Sequence, residues 1–296
     1  MGKFRNVLTL LALTLVLVLA ACGGNDEGGN NDEGNEAEGN GTIQIGMNNW
    51  AENVAVSNMW KLILEEKGYD VELKNVEKGF LYEALANGDL DIGMEIWLPN
   101  TDKAFYEKYK EDIDWRETWY EGTNLGLVVP SYMEEINSIE DLNANKDQFP
   151  DGRIVGIDAG ASIMALTEDA IKEYDLDYTL AASSGPTMTA ELQNAMKAEE
   201  PIVVTLWKPH WAFAEMDLKF LEDPKNVYGD SEDISYAARK GLEEDQPEVV
   251  KWFDSFKMSD DQLGSLMASL NEADSPEEGA QNWIDENQDA IDEWTK

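Results

Sequence analysis

Residues 42–66 read TIQIGMNNWAENVAVSNMWKLILEE, an apolar strand followed within a few residues by an amphipathic helix. Thr42 to Met47 has the pattern of a strand, and Asn53 to Glu66 carries its apolar residues at helical spacing. The alternation then continues: Asp70 to Val76 predicts a strand, Gly79 to Asn87 a helix, and Leu90 to Ile96 another strand. Further along, Asn124 to Pro130, Arg153 to Asp158 and Pro201 to Trp207 predict strands, with helices over Ile163 to Tyr174 and Thr187 to Ala198 between them. After Asp223 the pattern becomes mostly helical, through Glu248 to Phe256, Asp260 to Leu270 and Pro276 to Thr295. The fold class is α/β, with two lobes followed by a helical tail. The sequence shows no internal repeat.

Toward the N-terminus, Lys3 and Arg5 precede the apolar run Val7 to Ala20, which predicts an export signal over residues 1–21. The run is too short and one-sided for a comfortable membrane span. It ends in Leu19-Ala20-Ala21-Cys22, which resembles the bacterial lipobox and implies a lipid on Cys22. Cys22 is the only cysteine, so no disulfide or thiolate cage supports the fold, and stability must come from a large core. From Gly23 to Gly41 the chain holds only Gly, Asn, Asp, Glu and one Ala, so residues 22–41 are expected to form a flexible acidic tether. The remainder suffices for one large or two medium lobes.

Acids outnumber bases 61 to 22, for a formal net charge of −39, and they are spread along the whole chain. Such a surface repels nucleic acid, suits solvation in a saline or alkaline medium, and could hasten the arrival of a cation. No GxSxG, GxxxxGK[ST] or HExxH motif occurs, and the single histidine, His210, cannot build a metal site or a triad with a spare. The stretch Gly156 to Gly160 fails the dinucleotide spacing. The expectation is a non-enzyme without metal or cofactor.

Ten tryptophans are present, and three of them, Trp50, Trp97 and Trp207, fall at the carboxyl ends of expected strands. Open α/β sheets put their ligands there. A trimethylammonium group has no N–H to donate and wears its charge under methyls, so aromatic faces grip it better than acceptors do. Trp60, Trp115, Trp119, Trp211, Trp252, Trp283 and Trp294 are read as core or lobe-surface residues.

Four stretches carry a resemblance to a known family: Asn49 to Val56, Glu95 to Thr101, Gly156 to Met164, and Trp207 to Trp211. Together they resemble the substrate-binding proteins of glycine betaine and choline ABC importers, in the OpuAC-like branch. The resemblance implies a type II periplasmic-binding-protein fold, two α/β lobes closing over the ligand. It places 42–127 with 213–296 in lobe I and 128–212 in lobe II. It also implies that Trp50 and Trp97 of one lobe and Trp207 of the other surround the ammonium group, and that backbone N–H groups of Ser162 and Ile163 hold a ligand carboxylate. Ser162 stands where glycine is usual.

One departure bears on the ligand. Five residues after Trp97 the betaine-binding relatives resemble one another in a histidine, and here the position is Asp102. The ligand is therefore open between glycine betaine and choline or carnitine, with Asp102 or Glu52 meeting a hydroxyl or the positive charge. Asp102 is otherwise a helix cap before Lys103 to Tyr109. His210 is expected to pack beside Trp207. The resemblance further implies a monomer on the outer face of the cell membrane, lipid-anchored, whose partners are an ABC permease and its ATPase.

Overall fold

The computed structural model describes residues 40–296. The expected signal over residues 1–21, the expected lipidation site Cys22 and the tether up to residue 39 lie outside the described residues. The chain begins with β1 (Thr42–Met47), α1 (Ala51–Glu66), β2 (Asp70–Asn75), α2 (Lys78–Asn87), β3 (Ile92–Leu98), α3 (Lys103–Tyr109) and β4 (Ile113–Tyr120). It continues with β5 (Asn124–Pro130), β6 (Arg153–Val155), α4 (Ser162–Glu173), β7 (Thr179–Ala181), α5 (Gly185–Ala198), β8 (Val203–Lys208), α6 (Ala212–Glu215) and β9 (Leu218–Phe220). Last come β10 (Asp233–Arg239), α7 (Leu242–Asp245), α8 (Pro247–Ser255), α9 (Asp260–Glu272), α10 (Pro276–Glu286) and α11 (Gln288–Trp294).

Two five-stranded sheets result, ordered β2-β1-β3-β10-β4 and β7-β6-β8-β5-β9. In each, three parallel strands are extended by two more, each of which pairs antiparallel with the strand before it in the sheet. Sequence self-similarity does not reveal this shared plan, because it lies in strand order and not in residues. The two α/β lobes expected from the alternation are the halves built on these sheets.

The chain passes between the halves at residues 121–123 and returns before β10. The crossings run side by side: the Thr123 backbone N–H donates to the Glu232 carbonyl at 2.8 Å and the Gly122 N–H to Asp233 Oδ1 at 3.1 Å. Gly122 takes φ +83° with open space around it, a conformation that favours glycine. At Gly185 the constraint is instead close approach, since a Cβ there would stand 3.1 Å from the Asn49 carbonyl oxygen of the other half.

Helix α1 shows how sequence becomes core. Ala55, Val56, Met59, Trp60 and Ile63 recur at three- and four-residue steps and are buried. The helix ends at Lys67, followed by Gly68 at φ +92°. Further on, Ser259 and Gln262 form a capping box that starts α9.

Several expectations need correction. The stretch after Asp223 is not wholly helical: β10, reading DISYAAR, enters the first sheet between β3 and β4. Its small and polar residues give little apolar contrast, yet neighbours on both sides bury Ile234, Tyr236, Ala237 and Ala238. Trp97 and Trp207 lie inside the last residues of β3 and β8, one residue short of each strand's end. The strand expected through Asp158 stops at Val155, and the helix expected over Pro276 to Thr295 is split at Asn287. The second sheet takes in all of β5 from Asn124 and reaches Phe220 through β9, so its span is wider than 128–212 on both sides.

Candidate functional site

A small cavity of about 30 Å³ lies between the two halves. It is lined by all seven expected ligand contacts: Trp50, Glu52, Trp97 and Asp102 from the first half, and Ser162, Ile163 and Trp207 from the second. Trp50 precedes α1 in extended conformation (φ −116°, ψ 149°), which turns its ring out of the helix. Trp97 and Trp207 come from near the ends of the central strands β3 and β8. In both, a cis X-Pro bond follows, at Leu98-Pro99 and Lys208-Pro209. The rings of Trp50 and Trp207 meet at 6.4 Å between centres and 64° between planes, edge to face and not stacked.

Each of the three indole N–H groups ends on a carboxyl. Trp207 Nε1 donates to Glu52 Oε1 at 2.8 Å, Trp50 Nε1 to Asp158 Oδ2 at 3.1 Å, and Trp97 Nε1 to Glu95 Oε1. The first two bonds join the halves. These bonds fix the edges of the three rings.

Asp102 also joins the halves. It stands at the N-cap position of α3, but its side chain makes no capping bond to that helix. Its carboxylate instead accepts from the Trp97 backbone N–H at 2.8 Å and from Ser162 Oγ at 3.1 Å. Its charge is met by Lys78, 2.9 Å away. Both side chains of this ion pair are buried, at 0% and 2% exposure. Ser162 and Ile163 open α4, where the first N–H groups have no intrahelical acceptor and the preceding Ala161 offers no side-chain cap. That is a place for an anion.

Sequence reading missed Lys78 and Glu95. Lys78 follows Glu77 and precedes Gly79, which reads as an exposed polar turn. Glu95 carried an available signal, since an acid between Met94 and Ile96 in an apolar strand has to be paired or functional. Glu52 and Glu95 are both buried, and each keeps one oxygen that no donor reaches. Burial, and then the charge of Glu95, hold Glu52 well above the usual carboxylate range. Burial raises Glu95 too, against the pull of Lys78. The two carboxyls together therefore favour one retained proton.

His210 packs edge-on against Trp207, 5.0 Å between centres, and its Nδ1 accepts the Ala212 N–H at 3.0 Å. Burial lowers it to about 3, so it is neutral and structural. Among the described residues no cluster of His, Cys, Asp and Glu could hold a metal ion, and no helix is long and apolar enough to cross a membrane.

Comparison with known proteins places the chain in a family. The glycine betaine/carnitine transport binding protein GbuC of Listeria monocytogenes serotype 1/2a (strain 10403S) is 49% identical over 145 residues. That match covers 48% of this chain and spans about half the length of the curated relative, 48%. Lactococcal OpuAC, solved closed with glycine betaine, matches at a TM-score of 0.79 and 37% identity, over 86% of this chain and 99% of that one. An ABC-transporter choline binding protein in complex with choline matches at 0.79 and 27%, over 86% and 91%. The profile of one family fits residues 41–286, and by that match this chain belongs to the substrate-binding domains of ABC-type glycine betaine transport systems.

Proposed function

We propose that this protein is the extracytoplasmic receptor of an ABC importer, and that it captures glycine betaine or a related quaternary-ammonium solute between Trp50, Trp97 and Trp207. One observation carries the reading: three indoles from both halves face one buried cavity, with their N–H groups tied back to carboxyls. A desolvated ring contributes about 2 kcal/mol toward a methylated cation, so three rings support micromolar binding once the costs of association are met. The Glu52–Glu95 pair, keeping one proton, still leaves one negative charge behind the rings.

In this reading the first amides of α4, at Ser162 and Ile163, receive the ligand carboxylate. Because the cage takes rings from both halves, ligand favours the closed arrangement, which gives a permease and its ATPase a state to recognise. Cys22 carries the lipid that keeps the monomer at the membrane, and the solute leaves chemically unchanged. A choline or carnitine ligand is the second reading, favoured by the free oxygens of Glu52 and Glu95, which would accept a hydroxyl.

Calorimetric titration with glycine betaine, choline and carnitine tests the assignment. One-to-one binding on the micromolar scale is expected, and Trp97→Ala or Trp207→Ala should weaken it about tenfold or more. Unchanged affinity in both variants would remove the cage. Cys22→Ser should release the protein from the membrane fraction, and retention there would contradict the anchor.

A further inference from the structure

We propose that Lys78 determines specificity at this site: by neutralising Asp102 beside the start of α4, it lets the cavity accept a zwitterion with a carboxylate arm and disfavours quaternary cations lacking one. This rests on the receptor reading above and names the ligand class within it.

A lysine that is 2% exposed is costly unless its charge is met, and Lys78 meets Asp102, which is 0% exposed. Asp102 is not a remote counter-ion. Through its other oxygen it takes the hydroxyl of Ser162, at the helix start where a ligand carboxylate would rest. An unpaired aspartate there would repel that carboxylate, whereas the ion pair presents no net charge to it.

Lys78 also weighs against bare cations. Its ammonium lies 5.2 Å from the centre of the Trp50 ring, so a resident cation already shares one wall of the cage. It donates as well to the backbone carbonyl of Glu95, which fixes it in place. Asp102 balances its charge, yet the ammonium still occupies a ring wall that a ligand cation would otherwise use, and a carboxylate arm adds an attraction that a bare cation lacks. Glu52 and Glu95 lie behind the Trp207 and Trp97 indoles and act on the ammonium end of the ligand.

The test is titration of the full chain with glycine betaine and with choline, in the parent, in Lys78→Met and in Lys78→Met/Asp102→Asn. The parent should prefer glycine betaine by about tenfold or more, and Lys78→Met should weaken glycine betaine by about tenfold while choline holds or tightens. With neither buried charge left, the double variant should return glycine betaine to within about fivefold of the parent. A parent that takes choline as tightly as glycine betaine overturns the proposal. So does a Lys78→Met variant that weakens both ligands alike, or a double variant no better than the single. If Lys78→Met does not fold, the parent's preference and the double variant decide. A parent that binds neither ligand overturns the receptor reading itself, an outcome distinct from binding with the wrong preference.

Discussion

Trp60 stacks on Phe253 with ring centres 4.1 Å apart and meets Phe256 edge-on at 5.3 Å, and Trp283 lies parallel to Trp294 at 6.3 Å. The cage indoles are arranged differently. Trp50 and Trp207 touch only edge to face, and Trp97 joins them around open space. Both groups are buried, so burial does not separate a packing tryptophan from one proposed to bind. Two things do: whether ring faces are covered by other rings, and where the indole N–H goes. The Trp60 N–H has no partner, while every cage N–H ends on a carboxyl.

The largest effect should come from the packed group. Trp60→Ala opens a void under α1 and is expected to lower stability by about 3–5 kcal/mol in denaturant titration, with ligand affinity of the folded fraction unchanged. A large loss of affinity there would blur the distinction. Trp97→Ala and Trp207→Ala should reverse the pattern, with the loss of about 1.4 kcal/mol or more falling on binding.

A smaller effect concerns the carboxyls behind the rings. Glu52 is raised above its unfolded value by burial and by Glu95. A carboxyl raised in the folded state contributes stability below its unfolded value, and that contribution is lost as pH rises through the folded value. Glu52→Gln cannot suffer this loss, so the variant should gain on the parent as pH rises above the usual carboxylate range. A pH-independent difference would mean Glu52 is not the proton holder. The smallest effect is at the surface, where Lys61 pairs with Glu277 at 2.7 Å between α1 and α10. Lys61→Ala should change stability by about 0.5 kcal/mol or less, without touching affinity.

Much of this was legible in the chain itself. The strands β1, β3 and β5 stand out because apolar runs there are bounded by polar turns, and the tryptophans at Trp97 and Trp207 lie near the ends of strands central to each sheet. The strand β10 was not legible, since its Ala237 and Ala238 owe their burial to partners more than a hundred residues away. Asp102 was visible as a departure, but not its meaning. That depends on Lys78, whose ammonium reaches it across a fold that local polarity does not announce. Pairing between distant charges is set by tertiary approach, and spacing along the chain carries no trace of it.

The most direct test follows the ten indole N–H resonances of the nitrogen-15-labelled protein while glycine betaine is added. The account predicts large, saturable shifts for Trp50, Trp97 and Trp207, with Trp60, Trp283 and Trp294 nearly still. Movement confined to the packed group, or no movement in the three at saturating ligand, would contradict it.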